Sequence, residues 1–298
     1  MTTVLVTGAS GFIGYNLAAY LNNKGYSVKA LVRDPKKVSF HKDIIICVGN
    51  LLDLLSLKKA LTDTDIVVHC AAVINSPKKQ DYAKINITGT QNLIRQAKET
   101  NIKKFIHIST CDAHFDPKGL YGGSKLKGEY IVKDSKIPSI ILRPNVVYGR
   151  GAERGMLKLI KLIKRSIIIP IIGSGRTIIQ PVYIDDLSAV IDTVCRRPIQ
   201  NQTFEIAGPN AITYKELINI ITNKTNKKRI KIPIPLAILK PITFIYSRLK
   251  TTTWNEQKIV KLAKDRPADI SRMVKQLNIK PRSIDEGLSL FINEVFED

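Results

Sequence analysis

The 298-residue sequence predicts a doubly wound parallel α/β sheet with a second, smaller and mostly helical C-terminal domain. Three observations predict it. Short Val/Ile-rich runs alternate with helical patterns through the first half. A glycine-rich turn joins the first run to the first helix. The alternation then stops near Gly149. With 44% hydrophobic and 24% charged residues, the chain is neither disordered nor collagen-like, and it is long enough to bury a large core without disulfides.

Residues 4–7, 27–32, 44–48, 66–70, 105–109 and 140–143 are continuous apolar runs rather than alternating ones, as expected for parallel strands covered on both faces. Between them, 13–24, 55–61, 80–100 and 122–133 carry helical patterns. After Gly149, residues 152–165 read as a helix and 166–175 as a loop or short strand. Residues 182–195 read as a strand entering a helix, 201–208 as a strand, and the remainder as helix broken at Pro233, Pro235 and Pro241. The expected domains are 1–148 with about 178–207 for a dinucleotide, and 149–177 with 208–298 for a substrate.

The four cysteines are scattered, which reads as reduced thiols with neither a disulfide framework nor a metal site. The N-terminus has no basic leader, and no uncharged apolar run reaches about 18 residues. A cytoplasmic location is expected. Lys and Arg number 47 against 25 Asp and Glu, for a net charge of +22. That excess suits nucleic acid, an anionic membrane or a phosphorylated substrate without choosing among them. Base composition explains it equally well.

The first chemical motif is Thr7-Gly8-Ala9-Ser10-Gly11-Phe12-Ile13-Gly14, between strand one and helix one. Glycines at 8, 11 and 14 permit a tight turn, close approach of a pyrophosphate and close helix–strand packing. The helix N-terminus then faces phosphate charge. Gly8, Ser10, Gly11, Phe12, Ile13 and Gly14 are therefore the expected cradle of a dinucleotide. With the charge dispersed over a chain built for that ligand, no nucleic-acid role is expected.

The G-x-x-G-x-x-G spacing resembles the extended short-chain dehydrogenase/reductase superfamily, the NAD-dependent epimerase/dehydratase family, with its Rossmann sheet. Four further segments resemble it in the same order: Asp65-Ile-Val-Val-His-Cys-Ala-Ala-Val73, Asn86-Ile-Thr-Gly-Thr-Gln-Asn-Leu93, Tyr121-Gly-Gly-Ser-Lys125 and Leu142-Arg-Pro-Asn-Val-Val-Tyr-Gly149. The resemblance implies that Ala71, Ala72, Asn50, Leu51, Pro144 and Lys125 line the cofactor, and that Thr110, Tyr121 and Lys125 are catalytic. Asn86, Asp112, Asn145 and Arg176 are further candidates for substrate contact. Asn86 equally fits a role in stabilising its own helix.

Tyr121 and Lys125, at i and i+4, share one helix face. A phenol near pKa 10 is a weak acid–base catalyst at neutral pH. A neighbouring ammonium and a positive nicotinamide ring would both lower it. His69, His107 and Cys70 fall within strands and read as core residues. Strand two ends in Val32-Arg33-Asp34, with Val32 where an acidic residue would bind the ribose of NAD. Arg33 suits a 2′-phosphate, so NADP(H) is favoured over NAD(H), which Asp34 leaves open.

The expected activity is oxidoreduction or epimerisation at a secondary alcohol or ketone, most naturally of a nucleotide-activated sugar, by a homodimer. Cys111-Asp112 after Thr110, and Ile179 where the family commonly has a phosphate-binding Arg, weigh against a dehydratase and a canonical diphosphate site. Two rivals remain: an NADPH-dependent ketone or steroid-like reductase, and a redox-silent, cofactor-bound accessory protein like the related respiratory complex I subunit. The basic amphipathic stretch from Met156 to Arg165 suits a membrane surface, or is an ordinary helix with a solvated lysine face. The apolar, proline-interrupted residues 232–249 suit a docking lip for a lipid or partner.

Overall fold

The computed structural model describes residues 1–153, 155–235, 237 and 264–296. Two compact units share the chain. The first comprises Met1–Val147, Ile184–Ala207 and Asp269–Lys280; the second comprises Tyr148–Tyr183, Gly208–Ala268 and Pro281–Asp298.

The first unit contains β1 (Thr3–Thr7), β2 (Ser27–Val32), β3 (Ile45–Val48), β4 (Ile66–His69), β5 (Lys104–Ile108) and β6 (Ser139–Pro144). After β7 (Val147–Tyr148), where the chain changes units, come β8 (Ile168–Ile172), β9 (Ile178–Ile179), β10 (Val182–Tyr183) and β11 (Gln202–Ile206). Seven of these form one sheet in the order β11-β6-β5-β4-β1-β2-β3, and all its neighbours run parallel. This is the doubly wound Rossmann arrangement. Strand order reverses between β1 and β4, so a crevice opens beyond their carboxyl ends, where such sheets bind ligands. Every residue of β4 and β5 is buried, which is why those runs are apolar without alternation. The edge strand β3 is largely exposed.

Around this sheet pack α1 (Phe12–Asn23), α2 (Leu54–Leu61), α3 (Gly89–Glu99), α4 (Asp112–Phe115) and α5 (Leu120–Asp134). Later in the chain come α6 (Met156–Arg165), α7 (Ile184–Arg196), α8 (Tyr214–Lys224), α9 (Ser271–Leu277) and α10 (Ile284–Phe296). Of these, α7 and α9 belong to the first unit. Tyr26 Oη donates to Asp192 Oδ1 at 2.8 Å, pinning α7 beside α1. The α9 segment joins β11: Asp269 N donates to Glu205 Oε2 at 2.9 Å, and the Arg272 guanidinium lies 5.7 Å from the Phe204 ring. Residues 269–280 thus lie with the seven-stranded sheet, whereas the sequence assigns them to the other domain. Residues 178–183 move the opposite way.

Two other local readings change. The single helix expected over 80–100 is a wide π-type turn, Tyr82–Thr88, followed by α3. At the junction, a Cβ on Gly89 would lie 2.9 Å from the Leu51 Cβ, so the helix rests directly on that residue. The loop after Thr110 contains the four-residue α4, too short to show periodicity. Pro233 lies inside β13 (Ile230–Ile234), which pairs parallel with β8, and not at a break in a helix. The second unit also holds β12 (Ile212–Thr213), antiparallel to β9. The remainder of the proposed docking lip, residues 236 and 238–249, lies outside the described residues apart from position 237. Among the described residues no helix is long and apolar enough to cross a membrane.

Candidate active site

The glycine turn sits at the carboxyl end of β1. Gly8 has φ +67°, and a Cβ there would stand 2.6 Å from the Ala71 Cα beyond β4. Both conformation and space therefore require glycine. A Cβ on Gly14 would lie 2.3 Å from the Gly8 carbonyl oxygen, so α1 packs directly on the turn. The N-cap of α1 is Gly11, with no side-chain cap and no acidic residue in the first turn. The first N–H groups of α1 thus face neither a capping oxygen nor a carboxylate, which fits an anionic pyrophosphate.

Behind the turn, His69 joins the two strand ends. Thr90 donates its single hydroxyl hydrogen to the Asn86 carbonyl oxygen at 2.8 Å, so it accepts from His69 Nε2 at 3.1 Å. His69 Nδ1 must then accept from Thr7 Oγ1 at 2.7 Å, while that oxygen accepts from Ala71 N at 3.3 Å. Burial, reinforced by Lys125, holds its pKa well below the ordinary range and keeps the ring neutral, as this assignment of donor and acceptor requires. The wholly buried His107 ring lies tilted beside it, with the ring centroids 5.3 Å apart.

At the nucleoside side, the Asn50 Oδ1 accepts from Leu52 N at 2.8 Å, and Leu51 is buried. Arg33 is exposed just beyond β2. Asp34 begins a short 3-10 turn: its Oδ1 accepts from Lys36 N at 3.1 Å, and its carboxylate pairs with Lys37 at 3.6 Å. Ala72 follows Ala71 and is half-buried. Pro144 ends β6 with its carbonyl accepting from Cys111 N at 3.0 Å.

The first turns of α5 bring the reactive side chains together. Thr110, at the end of β5, lies beside the Tyr121 phenol and favours its ionised form, and its Oγ1 accepts from Asp112 N at 3.2 Å. The ten-residue connection reaches because α4 lies hard against α5: a Cβ on Gly122 would sit 2.4 Å from the Asp112 carbonyl oxygen. The sequence anticipates a phenol made more acidic by Lys125. The protein groups do the reverse. Burial first and the Asp112 carboxylate second hold Tyr121 above its ordinary value, opposed by the Thr110 hydroxyl. Lys125 instead faces Cys70 and Glu129, and burial brings its ammonium down to about 8. Its side chain is 1% exposed, and its Nζ takes part in none of the hydrogen bonds found among the described residues. Such a buried donor suits ribose hydroxyls.

This depression has a measurable sign. The folded state holds the Lys125 proton less tightly than the unfolded chain, so wild type gains stability as pH rises from about 8 towards 10.5. Denaturation of wild type beside Lys125→Met across that window should show this gain only in wild type. Parallel profiles would exclude it.

Two networks hold α5 in place. Asn86 Nδ2 donates to the Val73 carbonyl and to Ser124 Oγ, both at 2.9 Å, while its Oδ1 accepts from Val73 N at 2.7 Å. Both amide hydrogens are used, so Asn86 clamps the turn after β4 to α5; this favours placement over substrate contact. Glu129, completely buried, accepts from Ser109 Oγ at 2.5 Å and binds Arg143 through two hydrogen bonds of 2.9 and 2.6 Å. The motif search missed Ser124 and Glu129. Glu129 lies one further turn along the Tyr121–Lys125 face, so the i+4 spacing was the available signal.

Of the expected substrate contacts, Asp112 lies near enough to Tyr121 to hold its phenol above the ordinary value. Asn145 Oδ1 accepts from its neighbour Val146 N at 2.9 Å. Arg176 is exposed in the second unit, on the turn between β8 and β9.

The sequence pattern of the NAD dependent epimerase/dehydratase family matches residues 4–207. A UDP-glucose 4-epimerase of Vibrio cholerae is 27% identical, across 96% of this chain and 93% of its own. The mouse mitochondrial NADH dehydrogenase 1 alpha subcomplex subunit 9 is 26% identical, across 81% of this chain and 64% of its own. Among solved structures, a Bacillus cereus UDP-glucuronic acid 4-epimerase in complex with NAD superposes with a TM-score of 0.78 at 25% identity, covering 99% of both chains. With this match spanning the glycine turn, Thr110, Tyr121 and Lys125, the chain belongs to the NAD-dependent epimerase/dehydratase family.

Proposed function

We infer that the protein is an NAD(P)-dependent epimerase or dehydrogenase acting on a secondary alcohol or ketone of a nucleotide-activated sugar. The observation that carries this reading is the Tyr121 phenol placed beside Thr110, with the buried Lys125 one helical turn away. A nicotinamide dinucleotide held by the glycine turn, Ala71, Ala72 and Lys125 would supply hydride exchange. Tyr121 Oη exchanges the proton of the reacting oxygen, and Thr110 Oγ1 orients that oxygen. Lys125 holds ribose hydroxyls and contributes positive charge. Cys111 directs its thiol to the Arg143 carbonyl at 3.1 Å, so it is not the general acid a dehydratase would need beside Thr110. Interconversion of UDP-glucose or UDP-glucuronic acid with its 4-epimer is the direct assay, extended to small ketones with NADPH. Tight cofactor binding without turnover of any of these would overturn the enzymatic reading. It would instead favour a redox-silent role, with which the raised Tyr121 phenol is compatible.

NADP(H) is the favoured cofactor because Asp34 is engaged in its own turn while Arg33 stands exposed beside it. Titration should give tighter binding of NADPH than NADH, and Arg33→Ala should weaken NADPH alone. Tighter NADH binding, or indifference of NADPH to that change, would assign NAD(H).

A further inference from the structure

The β8–β13 ladder turns an apolar face outward. Cross-strand partners are Ile168 with Ile230 and Pro170 with Ile232. Ile168, Ile230 and Ile232 are 51%, 59% and 43% exposed, whereas Ile169 and Ile171 on the opposite face are buried. Ile167, immediately before the strand, is 68% exposed. Isolated surface isoleucines are ordinary, but a contiguous set on one ladder face marks an interaction surface.

Cations adjoin both strands of that ladder along the chain. Helix α6 buries Met156, Ile160 and Ile163 and exposes Lys158, Lys161 and Arg165 beside Leu162. Its last turn is tied to the start of β13: Arg229 donates from Nε to the Ile163 carbonyl at 2.6 Å and from Nη2 to the Lys164 carbonyl at 3.0 Å. Exposed Lys227 and Lys228 precede Ile230. The excess charge is consequently not dispersed. Residues 154–184 and 217–255 together carry fourteen Lys and Arg and no Asp or Glu, most of the chain's +22.

We propose that this face of the second unit, the outward isoleucines of β8 and β13 with the cations of α6 and residues 227–228, docks the protein on an anionic lipid bilayer. A phosphodiester chain would satisfy the lysines but leave the isoleucines in water. A second copy would set like charges against each other. An anionic bilayer accommodates both, with ammonium groups at the headgroups and apolar tips at the acyl boundary. The inference does not rest on the catalytic reading, since all these residues belong to the second unit.

Co-sedimentation of the full chain with phosphatidylcholine vesicles, with and without phosphatidylglycerol, tests it. Binding should require phosphatidylglycerol and weaken as salt rises. Removing Lys158 and Lys161 (Lys158→Gln/Lys161→Gln) should reduce affinity about fivefold per cation. Ile168→Ser/Ile230→Ser should also reduce it. Retained dinucleotide binding would show that a variant folds, and Lys227→Gln/Lys228→Gln provides a second charge test should the first not fold. Three results would each overturn the proposal: equal binding to neutral and anionic vesicles, no vesicle binding, or binding indifferent to the isoleucine changes. So would preferential binding to single-stranded nucleic acid, or self-association through the same residues without lipid.

Discussion

Tyr121→Phe is expected to lower kcat by about 100- to 10,000-fold, the usual contribution of a positioned acid–base group. The ring still fills its site, so cofactor affinity should change little. Thr110→Ser should keep most activity because the hydroxyl survives, while Thr110→Ala removes the hydroxyl beside the phenol and should lower kcat. Steady-state rates beside cofactor titrations would separate these effects. Full turnover by Tyr121→Phe would exclude the phenol as proton carrier.

The second large effect concerns stability. Glu129→Leu leaves the Arg143 guanidinium, only 16% exposed in its side chain, without its bidentate partner. Breaking a buried ion pair from one side costs about 3–5 kcal/mol. Replacing both groups together, as in Glu129→Leu/Arg143→Met, should recover much of that loss because no buried charge remains. Urea unfolding of the single and double variants measures it. A double variant no more stable than Glu129→Leu would show that the pair is not a self-contained electrostatic unit.

The parallel sheet was legible because β4 and β5 are covered on both faces, so burial writes itself directly into apolar runs. The glycine turn was legible because steric exclusion at Gly8 and Gly14 leaves no other residue type. The π-type turn was not, since the pattern over 80–100 does not register a local widening. The return of residues 269–280 to the first unit was hidden too: a seven-residue helix states its polarity but not which sheet it meets. At the site, residue types and the i, i+4 spacing placed Tyr121 and Lys125 on one face. The electrical environment depended on long-range packing. Burial and Asp112 raise the phenol, and Cys70 and Glu129 sit beside the amine. None of these relations is readable from spacing alone.

The return of α9 to β11 also bears on synthesis. Ribosomes deliver the six strands from Thr3 to Pro144 first, yet β11 reaches the sheet edge only after the intervening segment of the second unit has emerged. Until then, the β6 edge lacks its neighbour, and unpaired strand edges invite association with other chains. The first unit is therefore finished only once residue 280 has been made. A nascent chain halted between residues 147 and 202 would carry the whole glycine turn and α5 but still expose that edge.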